Sequence, residues 1–291
     1  MTILEALKAA AASLEKAGVP DSRLDAEYLL AHTLGISRMT LFLNNRRELS
    51  PAEQSSFGAL LVRRIKREPL QYILASQSFM GFQLYVDESV LIPRPETELL
   101  CERALAWLKE RGSASPKVLD LCTGSGALAV VIACLMPGAQ VFASDISEKA
   151  LDVAKKNAKA HQAEVAFFEG DFLYAVSGMQ FDCIVCNPPY IPTEACETLQ
   201  AEVRKEPRAA LDGGVDGLRF YHFLAGQAPA FLCPGGALFC EVGYDQAEVV
   251  KGLLAPFFEQ TEVFHDLSHI PRIVSAVSPN PLSGGTHVRQ V

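Results

Sequence analysis

Apolar residues recur at helical spacing in the first quarter of the chain, and a strand–helix alternation takes over further on. Leu4, Leu7, Ala11 and Leu14 share one helical face, and Gly18-Val19-Pro20 ends that helix. Asp21 is placed to cap the next, which carries Leu24, Tyr28 and Ala31 on one side and stops at Gly35. Ser50-Pro51-Ala52-Glu53 combines a capping box with proline at the first helical position, and Phe57, Leu60, Leu61 and Ile65 form the apolar stripe behind it. From Gln77 to Ile92 the period shortens to two. Residues 79–86 and 89–92 read as a hairpin with its turn at Asp87-Glu88. Pro93-Arg94-Pro95-Glu96-Thr97-Glu98 then leads into a helix through Leu99, Ala106 and Leu108.

Beyond Pro116 short apolar runs alternate with helical patterns, which predicts an α/β fold with a mostly parallel sheet covered on both faces. Strands are predicted at 117–121, 140–144, 164–168, 181–186, 236–241, 260–265 and 271–277, with helices near 126–135, 147–160, 217–232 and 245–257. No internal repeat or low-complexity tract occurs, and Ser278 to Val291 reads as a loosely ordered tail. The expected organisation is a helical domain over 1–75, a β-hairpin linker over 76–92 and an α/β domain over 93–291.

Composition narrows the setting. No apolar run in the 291 residues approaches the roughly 20 needed to span a membrane. Met1-Thr2-Ile3-Leu4-Glu5 lacks the basic flank and apolar block of a signal peptide, so a soluble cytoplasmic protein, with no membrane association, is expected. The eight cysteines lack framework spacing. Cys183 and Cys186 form a C-x-x-C, but residues three apart on a strand point to opposite faces and do not readily share a metal or a disulfide. The net charge of −8 argues against a general nucleic-acid binder. Through Tyr85, however, 10 Lys/Arg stand against 8 Asp/Glu, concentrated in Arg46-Arg47 and Arg63-Arg64-Lys66-Arg67. These are either solvated helix faces or a docking surface for an acidic protein or RNA.

The candidate chemistry sits at the ends of the predicted strands. The strand 181–186 stops at Asn187-Pro188-Pro189-Tyr190, because two prolines offer no N–H to a sheet ladder. The Asn187 amide, carbonyls without ladder partners and the Tyr190 ring suit a planar, N–H-bearing substrate. Asn187, Pro188, Pro189 and Tyr190 are the candidate substrate-binding residues, with Asn187, Pro188 and Tyr190 nearest the chemistry. The strand at 117–121 runs into Cys122-Thr123-Gly124-Ser125-Gly126, a Gly-rich turn at a helix N-terminus. Asp145 ends the next strand, where a carboxylate can accept ribose hydroxyls, and Ser147 caps the helix after it. Asp171 and Phe172 close the third strand with a carboxylate and a ring suited to the edge and face of adenine. Instead of a second mononucleotide half, the fourth strand ends in Asn-Pro-Pro-Tyr, which makes a dinucleotide an unsuitable ligand.

This succession resembles the class I (Rossmann-like) methyltransferases that use S-adenosyl-L-methionine, with the N-P-P-Y signature of enzymes acting on planar nitrogens. Arg67-Glu68-Pro69-Leu70-Gln71-Tyr72-Ile73, Phe79-Met80-Gly81, Leu91-Ile92-Pro93-Arg94-Pro95-Glu96-Thr97-Glu98, Glu206-Pro207 with Ala210-Leu211-Asp212-Gly213-Gly214, and Asp216-Gly217-Leu218 are similar to the HemK-type release-factor glutamine methyltransferases across 1–277. The resemblance implies methyl transfer to the glutamine amide (N5) of the Gly-Gly-Gln tripeptide of peptide chain release factors, with S-adenosyl-L-homocysteine as product. It implies a helical N-terminal domain that helps hold the release factor; a monomer with no direct nucleic-acid partner is expected. It also implies a cofactor site at Cys122, Thr123, Gly124, Ser125, Gly126, Asp145, Asp171, Phe172 and Asn187. The chain departs from the family at Cys122, usually Gly, and at Phe172, often Trp. A positive φ at Cys122 would strain the turn.

Amide chemistry supplies the expected mechanism. An amide nitrogen is a poor nucleophile, and acceptors on both its hydrogens, Asn187 and the Pro188 carbonyl, raise its electron density as the new bond forms. Neither a strong base nor a metal is required, and Tyr190 orients the amide plane by stacking. Thr97 and Glu98 lie either near the site or at a helix cap, and 191–215 is a candidate lid. Glu241, Gly243 and Gln246, also family-like, either belong to the site or simply end a strand and start a helix. Rival readings are an adenine methyltransferase acting on nucleic acid, a ribosomal-protein glutamine methyltransferase, and a noncatalytic adaptor.

Overall fold

The computed structural model describes residues 1–280, in two compact units: Met1–Ser76 with Gln200–Lys205, and Gln77–Leu199 with Glu206 onward. The first unit holds α1 (Ile3–Lys16), α2 (Ser22–Leu34), α3 (Arg38–Leu43), α4 (Pro51–Ile65) and α5 (Leu70–Leu74). A capping box between Thr2 and Glu5 starts α1 at Ile3, and the one between Ser50 and Glu53 starts α4 as expected. The buried face of α1 is Ile3, Ala6, Leu7, Ala10 and Leu14, so the expected stripe is rotated and Leu4 is exposed. On α2, Ala26, Leu29 and Leu30 fill the core while Leu24 and Tyr28 stay outside, with the Arg38 guanidinium 4.6 Å above the Tyr28 ring. Asp21 precedes α2 but makes no side-chain cap bond. On α4 the expected stripe is corrected too: Phe57 is buried, but Ile65 is exposed and the neighbouring Arg64 is inside.

Arg64 fits neither reading of the basic clusters. It is only 5% exposed. Its guanidinium donates to Asp25 at 2.6 Å, to Glu202 at 2.8 Å and to the Glu68 carbonyl at 3.1 Å. Arg67 donates to both oxygens of Glu202, Arg63 pairs with Glu68, and Arg47 pairs with Glu53. Much of the positive charge is therefore neutralised within this unit. Burial works to raise the Glu202 carboxyl, but the Arg67 and Arg64 hydrogen bonds outweigh it and hold the group at about 2.

The second unit opens with a hairpin of β1 (Gln77–Phe79) and β2 (Phe82–Leu84). Its turn is Met80-Gly81, with φ of 47° and 82°, and not Asp87-Glu88. Positive φ at both central positions is the type I′ form of a two-residue hairpin turn, which Gly81 adopts without strain. Residues 89–92 form no strand. Asp87 instead accepts the Ser89 N–H and the Tyr85 hydroxyl. Next come α6 (Pro95–Arg111), β3 (Lys117–Leu121), α7 (Ala127–Leu135), β4 (Gln140–Asp145), α8 (Glu148–Ala160), β5 (Val165–Glu169) and β6 (Phe181–Cys186). The chain continues through α9 (Arg219–Gln227), β7 (Leu232–Glu241), α10 (Ala247–Leu254), β8 (Phe258–His265) and β9 (Pro271–Pro279). Ser278 and Pro279, expected in the tail, lie in β9; the remainder of that expectation, beyond Asn280, falls outside the described residues.

The seven strands run in the order β5-β4-β3-β6-β7-β9-β8, parallel except for the antiparallel pairs of β9. Apolar side chains fill both faces. Cys183 and Val185 join the cluster with α6 and α7, whereas Ile184 and Cys186 join the one with Tyr221 and Leu224 of α9. The two residues of the C-x-x-C thus lie on opposite faces. From β3 the chain crosses to β4 on one side, and β6 lies on the other. At such a switch point the carboxyl ends of parallel strands leave an open crevice. Among the described residues no helix is long and apolar enough to cross a membrane.

Removing one partner of a buried ion pair leaves the other charged and unpaired, at a cost of roughly 3–5 kcal/mol. Arg64→Ala is expected to lower the stability of the first unit by about that much in urea titration, whereas Arg47→Ala, at an exposed pair, changes it by less than about 1 kcal/mol.

Candidate active site

The Gly-rich turn follows β3 directly. Thr123 is buried and donates its hydroxyl to Asp120 at 2.6 Å, and its N–H bonds the Ser144 carbonyl at the end of β4. Gly124 (φ 54°) and Gly126 (φ 80°) are left-handed, and the Gly124 N–H donates to Asp145 at 2.9 Å. Ser125 is buried, and its carbonyl accepts from Asn157 of α8. Cys122 also has a positive φ, 63°, so this departure from glycine carries left-handed strain of about 1 kcal/mol or more. Asp145 ends β4. One oxygen accepts the Gly124 N–H and the other the Ser147 N–H, while Ser147 caps α8 as expected. Burial raises the Asp145 carboxyl, and the backbone N–H groups of Ser147, Gly124 and Ile146 oppose that rise.

After β5, Asp171 is exposed, and no hydrogen bond to its carboxylate occurs among the described residues. Phe172 (φ 46°) is half-buried and packs on Phe220 and Phe223 of α9, with ring centroids 4.5 and 4.8 Å apart. Ile146, which sequence reasoning passed over, is 63% exposed beside Asp145. Its only signal was an apolar residue directly after a strand-end carboxylate.

At the end of β6, Pro188 and Pro189 are buried, while Asn187 and Tyr190 are half-buried. Asn187 Nδ2 donates to Thr97 Oγ1 at 3.0 Å, and Thr97 Oγ1 donates to Glu241 Oε2 at 2.6 Å. The Tyr190 hydroxyl donates to Glu241 Oε1 at 3.3 Å. Among the described residues nothing donates to Asn187 Oδ1 or to the Pro188 carbonyl. Glu241 is 1% exposed, and burial pushes its carboxyl up to about 7; Glu96 pushes the same way, while Thr97, Tyr190 and Arg272 oppose. Burial, then the nearby Glu241 charge, raises the Tyr190 phenol well above its ordinary range.

This geometry decides two readings that the sequence left open. Thr97 and Glu98 are not caps: Thr97 lies inside the first turn of α6 and bonds Glu241, and Glu98 accepts the Met80 N–H at 2.6 Å. Glu241 and Gln246 do more than end a strand and start a helix. Gln246 Nε2 donates to the Tyr190 carbonyl at 2.9 Å and its Oε1 accepts the Gly243 N–H. The 206–217 stretch holds the same exit loop. The Ile191 N–H donates to the Leu211 carbonyl and the Gly213 N–H to the Ile191 carbonyl, and Glu206 accepts from the Ile92 N–H and Arg94. A Cβ on Gly217 (φ 75°) would lie 2.3 Å from the Tyr190 carbonyl oxygen, so only glycine fits there.

Strand order, switch point and strand-end groups define a class I methyltransferase fold. A methyltransferase from Pyrococcus furiosus shares it, with a TM-score of 0.51 at 16% identity over 77% of this chain and 98% of that one. So does the hMettl16 catalytic domain in complex with MAT2A 3′UTR hairpin 6, at 0.53 and 15% over 75% and 81%. Sequence comparison goes further. A model described as the PrmC N-terminal domain matches 5–74, and one described as the methyltransferase small domain matches 97–216. The release factor glutamine methyltransferase of Geobacter sulfurreducens is 46% identical over 243 residues, 83% of this chain and 84% of that protein. That of Chlorobaculum tepidum is 41% identical over 287 residues, 95% and 97% respectively. The chain belongs to the release factor glutamine methyltransferase family.

Gly217→Ala is expected to cost at least about 2 kcal/mol in denaturant titration, because the clash is with backbone and the φ is left-handed. Gly112→Ala has a similar φ of 68° but open space around the added carbon, so it should cost only the backbone strain, about 1 kcal/mol.

Proposed function

We propose that the chain transfers a methyl group from S-adenosyl-L-methionine to the side-chain amide nitrogen of the Gly-Gly-Gln glutamine in a peptide chain release factor. The observation that carries this reading is the pair of acceptors at the end of β6, Asn187 Oδ1 and the Pro188 carbonyl, to which no described group donates. A primary amide has two N–H hydrogens to give, and two acceptors match them.

The residues around the Gly-rich turn fit the cofactor by their chemistry. Asp145 has acceptor capacity left for ribose hydroxyls beyond its two backbone bonds, the open Asp171 carboxylate suits an adenine amino group, and Ile146 offers an apolar surface to the purine. Thr123, Gly124, Ser125 and Gly126, with Cys122 before them, form the turn that the amino-acid end would meet. When bound, the cofactor supplies an electrophilic methyl on a sulfonium sulfur and leaves as S-adenosyl-L-homocysteine.

The chain's own residues do the positioning. Asn187 Oδ1 and the Pro188 carbonyl accept the amide hydrogens, fix the nitrogen and stabilise the positive charge that grows on it. Tyr190 stacks on the amide plane, and its phenol stays protonated against Glu241. An N-methylated, N-protonated amide is strongly acidic and loses its proton without a dedicated base, so neither a base nor a metal is needed. On this reading Met1–Ser76 helps bind the release factor, and the protein works in the cytoplasm, where release factors act, as a monomer.

Methyl transfer from labelled cofactor to a purified release factor tests the reading. Label is expected on the Gly-Gly-Gln glutamine by tandem mass spectrometry, and none on a factor carrying alanine there. Asn187→Ala should lower kcat by about 10²–10³-fold, the loss seen when one preorganised transition-state partner is removed. Label on adenine of DNA or RNA, with the release factor unmodified, would refute the reading.

A further inference from the structure

We propose that Glu241 and Thr97 are positioning residues that fix the direction of the Asn187 amide, so that its oxygen and not its nitrogen faces the substrate. The inference deepens the functional reading above and rests on it. An asparagine amide turned end for end has nearly the same shape and the opposite hydrogen-bonding sense. With Oδ1 outward, Asn187 accepts from a substrate N–H; with Nδ2 outward, donor meets donor and the nitrogen is repelled. Something must choose between the two.

The chain of hydrogen bonds makes that choice. A carboxylate only accepts, and a hydroxyl has a single hydrogen. Thr97 gives that hydrogen to Glu241 Oε2 at 2.6 Å and so meets Asn187 as an acceptor. Asn187 must therefore turn Nδ2 toward Thr97, as the 3.0 Å bond shows, and Oδ1 toward the crevice. The other oxygen of the same carboxylate takes the Tyr190 hydroxyl, so one buried group orients both the acceptor and the ring. The three partners come from separate elements, α6, the loop after β6 and the end of β7.

Protonating Glu241 removes the choice. A carboxylic acid can give its hydrogen to Thr97, Thr97 can then donate to Asn187, and the amide turns over. The charged and titratable groups facing Glu241 are Glu96 on α6, Arg272 on β9 and the Tyr190 phenol, while the Tyr221 hydroxyl of α9 donates to the Glu241 backbone carbonyl. Burial and Glu96 raise Glu241 to about 7, against Thr97, Tyr190 and Arg272. The oriented form is the ionised one, so kcat should rise with pH through about 7 and level off above it.

The test uses the full-length chain, S-adenosyl-L-methionine and a release factor, with cofactor affinity measured separately by calorimetry. Thr97→Val keeps the shape and removes the hydroxyl; kcat should fall about 10–100-fold, the usual loss for a group that orients another, with cofactor affinity unchanged. Thr97→Ser should recover most of the loss. Glu241→Gln should abolish the acid limb of the kcat profile, and this arm stands even if Thr97→Val folds poorly. The inference is overturned if Thr97→Val stays within about threefold of wild type, or if Glu241→Gln keeps the wild-type pH profile. Failure of the functional reading shows separately, in the wild-type arm, as absence of label on the glutamine.

Discussion

A central strand that ends in Asn-Pro-Pro is the constraint from which the rest of the site follows. Two consecutive residues without N–H groups cannot continue a ladder, so β6 stops between β3 and β7, which are still paired to it at Leu121 and Cys240. The interruption falls beside the switch point of the sheet. The exit loop is then held from several sides, by Gln246 on the Tyr190 carbonyl, by Leu211 and Gly213 on Ile191, and by the glycine contact at 217. A stiff loop with open acceptors follows from these contacts, and a stiff set of acceptors is what a weak nucleophile requires.

The strand ends also concentrate buried or half-buried carboxylates, each stabilised by local donors. Asp120 accepts from Thr123 and the Ala129 N–H, though its Oδ1 has no partner among the described residues, and burial pushes it up to about 7. Asp145 is held by backbone N–H groups, and Glu241 by the hydroxyls of Thr97 and Tyr190. Among the described residues none of these three is paired with Arg or Lys through a hydrogen bond. In the first unit the logic is reversed: Asp25 and Glu202 are matched by Arg64 and Arg67, and the pairs tie together segments distant in sequence.

The α/β order, every strand of the large sheet and the residues of the Gly-rich turn were legible in the sequence because they depend on local pattern: β-type runs, glycine before a helix, proline after a strand. The first unit's buried stripe in α1 was read partly off, since a helix of small and apolar residues shows two plausible faces and packing against distant residues such as Leu29, Leu30 and Phe57 decides between them. The hairpin turn was misplaced because Met80 at positive φ has no sequence signature, and Asp87-Glu88 looks more like a turn. Arg64 read as surface because nothing local announces Asp25 and Glu202, 39 and 138 residues away. Thr97 and Glu241, 144 residues apart, were likewise weighed singly, each as either a site residue or a local cap or strand end; only the fold joins them through one hydrogen bond.

The most direct test of the account is a crystal structure of the chain with S-adenosyl-L-homocysteine and a release factor bound. It should show the Gly-Gly-Gln amide nitrogen within about 3 Å of both Asn187 Oδ1 and the Pro188 carbonyl, with Asn187 Nδ2 still on Thr97. An amide nitrogen bonded elsewhere, or facing Asn187 Nδ2, would contradict it.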